Sequence, residues 1–409
     1  METKKRLALI TTWFSPQKSV ATNRMEAFAT YLSEDFEVEV FALNDHASTN
    51  LWNDKVTVHY EKSNALLERL KSKQEDSKFK HKLRTLGHVL LLKLVSNPME
   101  KWKKATLKNL QNRHREQPFD IIISSYAPVE PHLIASAFME INPTVIWVAD
   151  MRDEMSKNPG VTGQLKDKNR AVELLVNEKA TVITSVSLPI LNDFKVLCPK
   201  VKYFLEVRNG FSHELKFKVQ HDSSKVLKLG YFGSFYGIIK PTNLFKALVE
   251  LSNVIQFEFH VYGAFSNFEI PNEIKKSVFV YPSLPYQDAI LKMNTMDVNI
   301  VIHPTNERKG VYTGKLFDYF SARKPVLALM DESDVAAELI RSFNCGYVCD
   351  NSNIEGIKES ILSIQKDKHM HQLKVANQEN IDSLHRSIGV KSLTKLIQVI
   401  VNENPASRS

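Results

Sequence analysis

The sequence is poor in cysteine and has no long apolar run. Its three cysteines, Cys198, Cys345 and Cys349, are an odd number with no framework spacing, which excludes a disulfide-built scaffold and suits a reducing cytosol. Cys345 and Cys349 flank a short strand-like stretch without a nearby histidine, so they are expected as small core residues. The most apolar candidate span, HVLLLKLV (88–95), is short and broken by Lys93, and nothing reaches the roughly 18 residues that a spanning helix needs. The opening METKKRLALITTWF joins positive charge to an apolar run as a secretory leader does. It lacks a small-residue cleavage site, so a buried first strand is expected. Internal repeats and low-complexity tracts are absent. No Asp-x-Asp ends a strand-like segment and no His/Asp/Glu cluster has metal-ligand spacing, so no metal and no cofactor are expected. A phosphate loop is missing as well. In YTGKLFDYFSARKPVLAL (312–329) the stretch from Gly310 to Gly314 is one residue too short, and Lys315 is followed by Leu316 rather than by a magnesium-binding hydroxyl.

What is present is an ordinary globular composition, 43% apolar and 24% charged, in 409 residues. That length suits two domains of about 200 residues each. Strand-like runs at 6–14, 37–43, 56–60, 120–126, 144–150 and 181–186 alternate with helical patterns at 22–33, 130–140 and 164–180. The pattern lapses into polar sequence near 205–225, then restarts with strands at 227–233, 257–263, 278–282, 298–303 and 325–330. Continuous β-branched runs between helices predict parallel strands buried on both faces. The fold class is therefore α/β, with two Rossmann-like doubly wound sheets covering about 1–208 and 209–385, followed by a final helical segment (386–409).

Charge is uneven. Lys62 to Glu116 holds fifteen Lys/Arg against five Asp/Glu, a local +10 in a chain of net +8. Leu83, Leu86, Val89, Leu90 and Leu94 recur there at helical spacing, and Trp102 stands among Lys101, Lys103 and Lys104. This insert, at about 61–115, reads as an interfacial face for an anionic membrane with an aromatic anchor, or as helices packed on the sheet with solvated lysines outside. Nucleic acid is not expected, because interleaved stacking aromatics are lacking.

In doubly wound sheets ligands sit beyond the carboxyl ends of the strands. After 227–233, Lys240 precedes a helix starting at Thr242. After 298–303, the Thr313 and Gly314 amides open a helix with Lys315 in its first turn and Asp318 three residues on. A cation and helix-start amides suit phosphates, and a carboxylate one turn deeper suits sugar hydroxyls. The alternative is a surface ion pair between Lys315 and Asp318. His132, His260 and His303 near element ends are expected as packed or hydrogen-bonded histidines.

Several of these segments carry a family resemblance. GKLFDYFSARKPVLAL (314–329), GYFGSFYGIIKP (230–241), HVYG (260–263) and VRNGF (207–211) resemble, in order and spacing, the donor half of bacterial GT-B glycosyltransferases of the retaining family 4. TTWFSPQKSVATNRMEAFATYLSEDFEVEVFA (11–42), IISSYAPVEPHLIA (122–135) and VADMRDE (148–154) resemble the acceptor half of a subgroup that builds lipopolysaccharide and capsule. The resemblance implies two domains facing across a cleft, with the last helix returning to the first domain. It implies a metal-independent transfer from a nucleotide-diphosphate sugar to a glycan or lipid-linked acceptor, by a cytoplasmic enzyme peripheral to the membrane. Lys240, Lys315, Thr313 and Gly314 would hold the diphosphate, beside Gly233 and Ser234. Asp318 would hold the ribose, and Gly263 with Ser283, Leu284 and Tyr286 would border the base. Ser15, Arg24, Asp150, Arg152 and Asp153 would lie on the acceptor side. There Asp150 and Asp153 either assist the acceptor hydroxyl or form a buried ion pair with Arg152. Three positions depart from the pattern: Gly310 stands where the family has an acid, Ser234 follows Gly233 in place of an arginine, and SVATNR lacks a glycine. An epimerase of the same fold and a weakly active scaffold protein are the competing readings.

Overall fold

The structure, a computed structural model, describes residues 4–44, 50–63, 99–219, 224–235, 237, 239–264, 268–304 and 308–403. The chain divides into two compact units, Met1–Val207 with Gly389–Ser409, and Arg208–Ile388.

The first unit is built on strands β1 (Arg6–Thr11), β2 (Glu37–Leu43), β3 (Asn50–Trp52), β4 (Val56–Glu61), β5 (Ile121–Ser125), β6 (Ile146–Met151), β7 (Val182–Ser185) and β8 (Tyr203–Glu206). They run in the order β3-β4-β2-β1-β5-β6-β7-β8. Every pairing is parallel except β3 with β4, an antiparallel edge that the alternating pattern did not announce. All six residues of β1 are buried, as expected of a central strand covered on both faces. Helices α1 (Val20–Leu32), α2 (Glu100–Glu116), α3 (Glu130–Met139), α4 (Gly163–Lys179) and α5 (Leu188–Leu197) supply that cover. Helix α1 starts where the Ser19 hydroxyl accepts from the Thr22 N–H at 3.0 Å. It buries Met25, Phe28 and Leu32 on one face.

The second unit has β9 (Leu227–Phe232), β10 (Phe257–Tyr262), β11 (Val278–Tyr281), β12 (Val298–His303), β13 (Val326–Met330) and β14 (Gly346–Cys349), all parallel in the order β11-β10-β9-β12-β13-β14. Its helices are α6 (Thr242–Leu251), α7 (Tyr286–Met293), α8 (Gly314–Ser321), α9 (Val335–Ser342), α10 (Ile354–His369) and α11 (Gln378–Asp382). The last helix, α12 (Arg386–Glu403), adds Val390, Leu393, Ile397 and Ile400 to the apolar layer of the first unit. The fold is α/β with two doubly wound sheets. Cys198, Cys345 and Cys349 are all free and buried.

Two expectations need correction. The strand expected over 6–14 stops at Thr11, so Phe14 turns into the core while Trp13 stays outside. Trp102 is no membrane anchor. It is fully buried on α2 and packs with Leu110, Phe119 and Phe138, leaving Lys101, Lys104 and Lys108 on the outer side. Lys103 and Lys104 both reach Glu100, an i,i+3 and i,i+4 pattern that needs no lipid. Arg113 of α2, Arg6 of β1 and His59 of β4 converge on the buried Glu39 and tie this helix to the sheet. Residues 64–98, including the Leu83–Leu94 stripe, lie outside the described residues.

Trp102→Ala is expected to lower the unfolding free energy by about 3–5 kcal/mol in urea denaturation, as removal of a buried indole does. Lys104→Ala should stay within about 0.5 kcal/mol of the unchanged protein. Equal midpoints for the two would place the indole outside the core.

Candidate functional site

In the second unit β9 is bonded to β10 on one side and β12 on the other, so the strand order reverses between β9 and β12. Such a reversal leaves a crevice at the carboxyl ends of the two strands. Gly233 follows β9 with φ +129°, and Gly263 follows β10 with φ +151°. A Cβ on Gly263 would fall 2.2 Å from the Gly233 carbonyl oxygen, and one on Gly233 would fall 2.6 Å from Lys315 Nζ. Gly263 therefore requires glycine on two counts, backbone conformation and close approach to backbone, whereas Gly233 requires it for its backbone conformation and for the Lys315 side chain to lie where it does.

Lys315 crosses the crevice from α8. Its ammonium donates to the Tyr231 hydroxyl at 2.9 Å and lies 4.2 Å from that ring's centroid. The Tyr231 hydroxyl in turn donates to the Ser234 carbonyl at 3.3 Å. Among the described residues Lys315 has no carboxylate partner, and burial lowers its pKa to about 8. Thr313 caps α8 in an extended conformation without a side-chain bond, which leaves first-turn amides such as that of Gly314 directed out of the helix. The Tyr319 hydroxyl accepts from the Phe232 N–H at 3.1 Å and fixes α8 against β9.

Asp318 does not pair with Lys315. It accepts from the Tyr286 hydroxyl at 2.8 Å, and burial pushes its pKa up to about 6 against the pull of Tyr286 and the nearby Arg386. Ser283 is exposed and Leu284 is half-buried just ahead of α7. Lys240 is exposed in the β9–α6 connection. Gly310 sits at φ +84° and donates its N–H to Asp334 at 2.8 Å, so its departure from the family acid meets a backbone requirement. Burial lowers the pKa of His303, at the end of β12, and Asp334, Arg308 and Lys315 add smaller electrostatic effects. His260 approaches Glu258 at 3.0 Å.

In the first unit Asp150 has no exposed surface and is saturated. Arg24 grips it with two bonds of 2.6 and 3.1 Å, while Ser125 and Thr184 each donate at 2.8 Å. The buried ion pair thus exists, but with Arg24 in place of Arg152. Burial opposes ionisation of Asp150, and Arg24 outweighs it, holding the carboxyl below its usual range. Arg152 donates instead to the carbonyls of Tyr126 and Ala127. Asp153 is half-buried beside it. The Ser15 carbonyl accepts from the Tyr60 hydroxyl at 2.6 Å. His132 is buried, hydrogen-bonded to Ser124 at 2.7 Å, and lowered to about 4 by burial. Tyr231 and Trp13 take positions at strand ends that the sequence reading did not single out. Each is an aromatic just inside or just beyond a strand terminus, where strand propensity hides it.

A half-open cavity of about 260 Å³ lies elsewhere in the second unit, lined by Phe211, His213, Ser321, Arg323 and His385 among others. It includes neither Lys315 nor Gly233 and is small for a nucleotide. Among the described residues no group of three His, Cys, Asp or Glu could hold a metal ion, and no helix is long and apolar enough to cross a membrane.

No family model and no curated protein matches the sequence. Solved structures match along nearly the whole chain. Sucrose-phosphate synthase from Thermosynechococcus elongatus is 11% identical, with 98% of this chain and 100% of that one covered, at a TM-score of 0.67. Anabaena HepE, in complex with UDP and glucose, is 14% identical over 97% and 100%, at 0.63. The lipopolysaccharide outer core galactosyltransferase WaaB is 13% identical over 96% and 99%, at 0.59. The fold is that of GT-B glycosyltransferases.

Asp318 yields a pH test. Folded, it keeps its proton to about pH 6, whereas in an unfolded chain it loses it near about pH 4. Its stabilising contribution is therefore complete below about pH 4 and lost as pH rises through about 6. Asp318→Asn should flatten that part of the stability profile in denaturation at pH 4, 5 and 6.5. An unchanged slope would deny the raised pKa.

Proposed function

We propose that the chain is a nucleotide-sugar-dependent glycosyltransferase that moves a sugar from a nucleoside diphosphate to a glycan or lipid-linked glycan acceptor. The observation that carries the reading is Lys315, a largely desolvated cation without a carboxylate partner among the described residues, laid over Gly233 at the β9/β12 crevice. Removing a cation from water is unfavourable unless an anion compensates, and the anion that fits beside helix-start amides is a phosphate.

The proposed chemistry follows from charge. Breaking the bond from the anomeric carbon to the diphosphate leaves the electron pair on phosphate oxygen, the carbon becomes oxocarbenium-like, and the acceptor hydroxyl oxygen bonds to it while its proton passes to the departing diphosphate. The Lys315 ammonium and the α8 amides meet the charge that develops on the leaving group. They are fixed before the reaction, so little reorganisation is needed. Lys240, on the β9–α6 connection, is the second cation proposed for the diphosphate. Asp318, held by Tyr286, is proposed to accept from ribose hydroxyls. Independence of metal belongs to the same proposal, because lysine charge takes the place of a divalent ion, and retention is proposed as attack by the acceptor on the donor's own face.

Lys315→Ala is expected to cut turnover by about 10²-fold or more, read as UDP or GDP release from a panel of nucleotide sugars with acceptor present. Activity is expected to survive EDTA; loss that magnesium or manganese restores would overturn the metal-independent mechanism. Affinity for UDP or GDP should fall as pH rises through about 8, because the free site loses the Lys315 proton there. A flat calorimetric profile between pH 7 and 9 would remove Lys315 from the phosphate site. Release of an epimerised free sugar without acceptor would replace transfer by epimerisation.

A further inference from the structure

The first unit has its own strand-order reversal. β1 is bonded to β2 on one side and β5 on the other, so a crevice opens at the carboxyl ends of β1 and β5. Trp13 follows β1 and bridges that crevice: its indole Nε1 donates at 2.7 Å to the carbonyl of Ala127, just past the end of β5. Its backbone is fixed as well. The Thr11 hydroxyl accepts from the Trp13 N–H at 3.0 Å and donates to the Trp13 carbonyl at 3.3 Å. Despite these restraints Trp13 is 37% exposed, while the next residue, Phe14, is buried.

An indole whose only polar group is already bonded can offer a ligand nothing but its apolar faces. The two guanidiniums nearest it are matched by two carboxylates, and Lys18 in the same β1–α1 connection is an exposed cation. Arg24 is paired with Asp150, and Arg152, beside Asp153, shares the Ala127 carbonyl with the indole, Nη2 to oxygen 3.3 Å. Among the described residues the guanidiniums beside the indole are thus already engaged, and an anion would find only the exposed Lys18 ammonium. A flat apolar face, carbonyl-anchored and beside guanidinium donors, matches a neutral ring with a C–H face and a rim of hydroxyls.

We propose that Trp13 is the stacking platform of an acceptor subsite, on which a pyranose ring lays its C–H face at the β1/β5 crevice. Arg152 is the neighbouring donor for its hydroxyls. The role as acceptor rests on the glycosyltransferase reading; the affinity for a neutral pyranose does not.

The test uses the full chain with 5-fluorotryptophan at its four tryptophans, followed by ¹⁹F NMR. The Trp13 signal is assigned with Trp13→Phe, and the buried Trp102 and Trp147 serve as internal references. Methyl β-D-glucopyranoside, methyl β-D-galactopyranoside and methyl α-D-mannopyranoside are titrated separately. At least one should move the Trp13 signal saturably and leave the references still. By saturation transfer to the sugar ring protons, Trp13→Ala should weaken that pyranoside about tenfold. Trp13→Phe, which keeps an aromatic face, should stay within about threefold of the unchanged protein. UDP or GDP affinity should be the same in all three proteins. Failure of every pyranoside to move Trp13, or unchanged sugar affinity in Trp13→Ala, overturns the proposal. Movement with phosphatidylglycerol vesicles but not with sugars overturns it in favour of a lipid contact. Pyranoside binding by a chain that binds neither UDP nor GDP would sink the glycosyltransferase reading and leave the sugar platform standing.

Discussion

A cation brought out of water against bare backbone is the constraint on which the second unit turns. Lys315 can lie where it does only because Gly233 has no side chain, and Gly233 can hold its backbone only because Gly263 has none either. Tyr231 receives the ammonium on its hydroxyl and ring, and Tyr319 pins the helix that carries it. Nothing in this arrangement neutralises the charge, so the fold maintains an electrostatic demand that an anionic ligand would meet.

The first unit solves the opposite problem. Asp150 is an anion on the central sheet, and its ionisation is secured by Arg24, Ser125 and Thr184 with no lone pair left over for chemistry. Removing Arg24 alone would strand a buried carboxylate, which is costlier than never having one. The two units thus share an architecture and differ in electrostatics: the desolvated cation of one has no carboxylate partner among the described residues, whereas the buried anion of the other is fully paired. In each, a side chain reaches backbone or glycine just past the end of a strand at the crevice. Lys315 lies over Gly233 in one unit, and Trp13 bonds to Ala127 in the other.

Much of this was legible in the sequence because parallel strands buried on both faces read as uninterrupted apolar runs. The starts of α6 and α8 were visible from their turn residues, which brought Lys315 and Gly233 forward together. Side-chain partners were not legible. Arg24 is 126 positions from Asp150, and only the fold shows that it, and not the adjacent Arg152, closes that ion pair. Lys315 and Asp318 share a helix, yet Tyr231 and Tyr286, from other elements, draw them apart. Trp102 misled because three neighbouring lysines resemble a membrane surface, whereas helical spacing with Thr106 and Leu110 turns it inward. The antiparallel β3 is three residues long, too short for a period-2 signal to rise above its surroundings.

The buried cysteines have a use unrelated to their packing. Burial raises Cys198 and Cys345 to about 12 and Cys349 to about 11, so the native protein presents almost no thiolate at neutral pH. A thiol reagent can then reach them only when the surrounding structure opens. Cys198 belongs to one unit, and Cys345 and Cys349 to the other. The chain therefore contains its own pair of clocks: the rate at which each sulfur is alkylated reports how often its half comes apart, with no label introduced.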